Sequence, residues 1–244
     1  MLHSHAEPVR GAGRGGGEHS LLSGIELFRD LDPAALARIE HLCRYRRFAA
    51  DEHVIDRDGA SADVYCVVRG RVRVVNYSVS GREITFDELA SGSYFGELAA
   101  IDGAPRSANV IAVEDTLILA LPRGAFLDAI SQHPAVAARV MRRLASIVRS
   151  ANERIMDLST LAAQNRVQAE LLRQAQGRER RANAAIIAPI PVHSDIASRV
   201  STTRETVARV MNDLARKGIV ERRKGALVIH DMRRLESLVE DVRG

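Results

Sequence analysis

From Pro134 the chain settles into one long helical pattern, and that pattern limits the folds open to it. Val140, Leu144, Ile147, Ala151, Ile155 and Leu158 recur at steps of four and three, the spacing of a coiled-coil seam. About 25 helical residues, Pro134 to Leu158, would span roughly 37 Å. So long a helix with so narrow an apolar stripe predicts a second copy of itself as partner. The competing reading is a helix that packs only on its own β-region. Either way, Arg142, Arg143 and Arg149 are expected on its solvated sides.

The chain before this helix has a different texture. Leu21–Leu42 has helical spacing, with Asp32 and Pro33 placed to cap and open a helix at Ala34. From Tyr45 to Leu121, short segments alternate in period two between Gly or Asp punctuation. Val64–Val68 and Val72–Val75 flank Arg69-Gly70-Arg71 as strand, turn, strand. Further strands are expected at Glu83–Leu89, Asn109–Val113 and Thr116–Leu121. Many short strands with such punctuation predict a roll or barrel, not a parallel sheet.

After the long helix, Ser159–Thr160 is expected to act as a hinge, because both hydroxyls compete for backbone hydrogen bonds. A helix over Leu161–Ala175, a charged loop over Gly177–Asn183 and a strand at Ile186–Ile190 follow. The fold class is therefore α+β: a jelly-roll-like N-terminal β-roll, a long dimerisation helix and a C-terminal winged helix-turn-helix. The expected divisions are a tail at 1–20, the roll at 21–133, helix and hinge at 134–160, and the last domain at 161–244.

Charge is unevenly spread. Residues 161–244 carry 16 Lys/Arg against 10 Asp/Glu, while residues 1–160 carry 19 against 21. A basic C-terminal third suits a nucleic-acid partner. No apolar run approaches the ~20 residues of a membrane span, and the polar, Gly-rich Met1–Ser20 lacks a signal-peptide core. A cytoplasmic protein without a membrane partner is expected. Two cysteines, Cys43 and Cys66, are too few for a thiolate-held iron–sulfur cluster. Tail histidines His3, His5 and His19 have no scaffold to hold a metal, and none is expected.

Residues 193–217 divide into two short helices about a tight turn at Val200–Thr202. The second opens with Thr202-Thr203-Arg204-Glu205, a capping-box pattern. Along it, Arg204, Glu205 and Arg209 lie opposite Val207, Val210, Met211 and Leu214. One face can pack while the other offers Arg forks to guanine and a Glu acceptor to cytosine. The bland alternative is a solvated charged face. Gly218 then ends the helix, and a hairpin tipped by Arg222, Arg223 and Lys224 suits contact with DNA phosphates. Ser201 sits where such turns often have Gly. Residues Asp231–Val242 form an extra amphipathic helix with no evident role.

Within the β-region, Gly92–Ala108 suits a cyclic phosphate joined to a ribose. Gly96 permits close backbone approach, and the next segment can present N–H groups to an anion. Arg106 offers a planar fork to phosphate oxygens. Ser107 adds a hydroxyl, and Glu97 can accept from a ribose hydroxyl. The alternative is a Glu97–Arg106 pair in a surface turn.

Both constellations, in this order and spacing, resemble the cyclic-AMP receptor protein family of transcription regulators, the CRP/FNR superfamily, from about Leu21 to Ile229. Phe95-Gly96-Glu97-Leu98 and Pro105-Arg106-Ser107-Ala108 look like its phosphate-binding cassette. Ser201–Val210 looks like its recognition helix. The resemblance implies that Glu97 binds the ribose, that Arg106 and Ser107 bind the phosphate, and that Arg204, Glu205 and Arg209 reach base edges. It also implies a homodimer on palindromic double-stranded DNA, with RNA polymerase as a further partner. Cyclic AMP, or cyclic GMP, is the implied allosteric ligand. Where cyclic-AMP-responsive members usually place a Thr-Ser pair, this chain has Ala151-Asn152; Asn152 can still hydrogen-bond a base. Two alternatives stay open: constitutive DNA binding with a weak ligand site, and an interaction module whose winged helix contacts protein. No nucleophile–base pair or hydrolytic loop points to an enzyme.

Overall fold

The computed structural model describes residues 20–78, 81, 83–176, 180–181 and 183–243. The expected tail lies outside these but for Ser20, whose hydroxyl caps the first 3-10 turn, Leu21–Gly24. A second such turn and helix α1, Pro33–Leu42, follow; the Asp32 carboxylate accepts from Ala35 N at 2.9 Å. This cap holds the Asp32 carboxyl below its ordinary range.

Eight strands come next: β1 (Arg44–Phe48), β2 (His53–Ile55), β3 (Val64–Arg69), β4 (Arg71–Tyr77), β5 (Glu83–Ala90), β6 (Tyr94–Phe95), β7 (Asn109–Ala112) and β8 (Thr116–Leu121). They form two sheets, ordered β1-β8-β3-β6 and β2-β7-β4-β5. The expected strands on either side of Gly70 exist, but they belong to different sheets. Gly70, at φ +92°, is a corner rather than a hairpin turn; a Cβ there would fall 2.5 Å from Thr116 Oγ1. Period two decides the packing. Tyr65 and Val67 of β3 enter the core between the sheets with Phe48, Val72, Phe95 and Ile118. Their neighbours Val64 and Cys66 turn outward onto α1, α3 (Arg123–Gln132) and the start of α4 (Pro134–Thr160). Both cysteines are free thiols.

Helix α4 corrects the sequence reading in two places. Val140 and Leu144 of the expected seam pack on the chain's own β-roll. The exposed apolar face runs beside them, through Met141, Val148 and Ile155 at steps of seven, with exposures of 62, 57 and 61%. The helix also runs through Ser159 and Thr160. Their hydroxyls donate back to the Ile155 and Met156 carbonyls, both at 2.8 Å, inside the turn they were expected to break. The break falls at Leu161–Ala162, where Leu161 is buried in the second core.

The chain forms two compact units that divide within α4, between Ser146 and Ile147; Tyr77–Ile84 groups with the second. The second unit continues with α5 (Ala163–Gln176), β9 (Arg180–Arg181), β10 (Ala184–Ile187), α6 (His193–Arg199), α7 (Arg204–Arg216), β11 (Val220–Arg223), β12 (Ala226–Ile229) and α8 (Met232–Arg243). Part of the expected loop at 177–183 lies outside the described residues, and Arg180–Arg181 pairs with β10. The expected strand at Ile186–Ile190 is instead Ala184–Ile187, ending ahead of Pro189. The sheet order is β11-β12-β10-β9. Helix α8 has a role after all: Met232, Leu235 and Val239 complete the core beside Leu171 and Leu172. Among the described residues, no helix is long and apolar enough to cross a membrane.

Candidate cyclic-nucleotide and DNA sites

The cassette is built on the turn from β6 into helix α2, Glu97–Asp102. Gly96 caps that helix at φ +84°. A Cβ at this position would lie 2.7 Å from Arg106 Nη1 and 3.0 Å from the Asp63 carbonyl. Glycine is therefore required twice, by conformation and by the approach of the arginine. Arg106 donates from Nη1 to the Gly96 carbonyl at 2.9 Å and from Nη2 to the Asp63 carbonyl at 2.8 Å. Its Nε is buried without a hydrogen-bond partner. The guanidinium is thus anchored at both Nη atoms while its Nε–H stays unpartnered, in a place where a buried cation calls for an anion.

Glu97 and Arg106 are each only 5% exposed, so they do not form the surface turn pair of the bland alternative. Burial pushes the Glu97 carboxyl up; its own backbone N–H, Arg143 and Arg106 act the other way. Ser107 is exposed, and its carbonyl accepts from Asn76 Nδ2 at 3.1 Å. Ala108 is buried, while Leu98 lies on the open side of α2.

Arg143 was missed. It is half-buried, not solvated as expected, and donates from Nη2 to Asp87 Oδ2 at 3.0 Å while its charge bears on Glu97. Arg142 and Arg149 are exposed as anticipated. Asn152 is an exposed residue of α4 in the second unit, whereas the cassette belongs to the first.

In the second unit, Ser201 adopts φ +50° in the turn between α6 and α7. Arg166 of α5 pins that turn: Nε donates to the Val200 carbonyl at 2.9 Å and Nη2 to the Ser201 carbonyl at 3.2 Å. Its Nη1 holds the Leu161 carbonyl at 2.8 Å. One side chain therefore joins the end of α4 to the helix-turn-helix. The capping residue of α7 is Thr203, whose hydroxyl accepts from Thr206 N at 3.2 Å. The expected box from Thr202 to Glu205 is displaced by one residue, because Thr202 N is committed to the Ala197 carbonyl. Val207, Val210 and Leu214 are buried; Arg204, Glu205 and Arg209 are exposed on the other face. Glu205 is held below the usual carboxylate range by its own backbone N–H, the Thr203 hydroxyl and Arg204.

The wing is tighter than expected. Arg223 pairs with Ala226, so Arg222 and Arg223 are strand residues and only Lys224-Gly225 forms the tip. Arg223 is tied to Glu221 at 2.9 Å, and Glu221 also meets His230 at 2.8 Å. His193, also missed, is the first residue of α6. Burial, then Arg222 and Arg204, lower its pKa.

A β-roll with a buried arginine on a glycine-capped turn, followed by a winged helix-turn-helix with Arg204, Glu205 and Arg209 exposed, is the architecture of a transcription regulator. The sequence matches the Cyclic nucleotide-binding domain family over residues 45–133 and the Crp-like helix-turn-helix domain family over 165–238. The cyclic AMP receptor protein of Thermus thermophilus is 31% identical over 220 residues, covering 89% of this chain and 98% of its own. The CRP-like cAMP-activated global transcriptional regulator of Mycobacterium tuberculosis is 25% identical over 217 residues, with coverages of 88% and 96%. Among solved structures, the Thermus thermophilus catabolite activator protein is 30% identical, with a TM-score of 0.51 and coverages of 88% and 99%. A CooA mutant from Carboxydothermus hydrogenoformans shares the fold at a TM-score of 0.76, 22% identity, and coverages of 91% and 97%. The chain belongs to the CRP/FNR family of transcription regulators.

Proposed function

We propose that the chain acts in the cytoplasm as a homodimeric, ligand-gated regulator of palindromic double-stranded DNA. Its β-roll binds a cyclic nucleotide, cyclic AMP in first place and cyclic GMP in second. The observation that carries this is Arg106: buried, anchored by two carbonyls, and left with an unpartnered Nε beside the capping glycine of α2. A cyclic phosphate supplies the missing acceptor and the missing negative charge, Ser107 adds a hydroxyl, and Glu97 takes the ribose. Asn152 is assigned to the base. The exposed Met141, Val148 and Ile155 face is assigned to the second copy. Ligand binding then shifts the population toward the arrangement that sets two recognition helices about one DNA turn apart.

Gly96→Ala is expected to weaken cyclic-nucleotide binding at least about tenfold, since left-handed backbone alone costs on the order of 1 kcal/mol before the clash with Arg106. Calorimetric titration checks it, and wild-type affinity would contradict the site. At the other end, Arg204→Ala is expected to relax base preference at one position of each half-site, at about 1–3 kcal/mol of discrimination. Binding to a library of single-base operator variants reads this directly. Uniform weakening with unchanged selectivity would make Arg204 a phosphate contact instead.

Constitutive DNA binding is the second reading. It is favoured by one observation: the chain's own carbonyls already hold both Nη atoms of Arg106, so the cassette keeps its form unaided.

A further inference from the structure

We infer that Tyr65 is the positioning residue that fixes the Arg106 guanidinium, through the face of its ring, before any ligand arrives. The inference rests on the reading of Arg106 as phosphate anchor and adds the residue that aims it. The guanidinium carbon lies 5.6 Å from the Tyr65 ring centroid, within cation–π range. The ring itself cannot turn away. It is buried in the core between the sheets, pairs in register with Phe95 across β3 and β6, and stacks on it at 5.4 Å and 18°. Its hydroxyl lies 3.3 Å from Ser61 Oγ, which also accepts from Arg106 Nη2 at 3.4 Å.

The two carbonyls of Gly96 and Asp63 grip the ends of the fork, and the ring supplies a surface for its plane. An arginine stem otherwise loses much of its rotamer freedom on being ordered. Fixing it in advance removes that cost from ligand binding. An aliphatic residue at position 65 would keep the core apolar but would present no π face.

The test uses full-length protein labelled with 15N-arginine. Arg106 Nε–H, identified by its absence in Arg106→Lys, is expected as a resolved, slowly exchanging signal without ligand. Tyr65→Leu is expected to lose that signal and to weaken cyclic AMP binding roughly 5- to 30-fold. Tyr65→Phe, which keeps the ring, is expected to retain the signal and most of the affinity. Persistence of the signal in Tyr65→Leu overturns the proposal. So does its loss in Tyr65→Phe, or its absence from the wild type. Wild-type protein that shows the signal but binds no cyclic nucleotide would instead overturn the ligand assignment, leaving the role of Tyr65 standing.

Discussion

Arg106→Ala is expected to abolish measurable cyclic-nucleotide binding while leaving the dimer intact. The side chain would supply the charge-assisted bonds to the phosphate, each contributing about 1.5–3 kcal/mol. Losing two of them corresponds to roughly a hundred- to ten-thousandfold in affinity. The substitution also frees the Gly96 and Asp63 carbonyls, which lose their Nη partners, so thermal unfolding should accompany the titration to show that the β-roll still folds. Arg106→Lys keeps the charge but not the planar fork and should also fail, since an ammonium cannot bridge two carbonyls and a phosphate in one plane. Normal titration by either variant, with the fold retained, would remove the site from the cassette.

The second large effect concerns the charges between α4 and the DNA-binding domain. Asp157 and Glu170 are almost completely buried, at 3 and 2% exposure. Arg173 bridges them: Nη1 lies 2.5 Å from Asp157 Oδ2 and Nη2 3.1 Å from Glu170 Oε2. Gln174 Nε2 donates to Glu170 at 2.9 Å, and Arg199 of α6 stands 3.7 Å from the same carboxylate. Arg173→Met leaves two buried carboxylates short of their shared cation. The expected cost is about 3–5 kcal/mol, read as earlier denaturant unfolding of the second unit with weakened DNA binding, while cyclic-nucleotide binding by the β-roll persists. Neutralising the acids as well, in Asp157→Asn/Glu170→Gln/Arg173→Met, should recover part of the loss. Unchanged unfolding of the single variant would show that solvent already screens the cluster.

The division of α7 into a buried and an exposed face was legible because its signal is local. A periodicity of 3.6 separates Val207, Val210 and Leu214 from Arg204, Glu205 and Arg209 without any knowledge of neighbours. The spacing of Gly96, Glu97 and Arg106 was equally visible, as was the glycine-like place of Ser201, whose φ is +50°. The features missed depend on partners distant in sequence. Whether Val64-to-Val75 makes a hairpin or a corner depends on which strand lies alongside, and β8 and β7 claim the two halves separately. The seam on α4 looked single because Val140 and Ile155 obey the same spacing, yet the β-roll covers one and not the other. Arg143 looked like a surface charge, and Arg166 carried no local signal at all. Only Asp87 on β5, and the carbonyls of Leu161, Val200 and Ser201, give them their places. Thr203 took the cap from Thr202 by a single residue, a difference that rests on one backbone bond.

The central claim is that a ligand in the β-roll controls DNA binding by the winged helix. It is tested most directly by titrating the full-length protein onto a palindromic site with half-sites about 10 bp apart, at fixed salt, with and without cyclic AMP. The expected result is tighter binding with the nucleotide, with the gain lost in Arg106→Ala. Equal affinity in both conditions for the wild type would contradict the account and make DNA recognition constitutive.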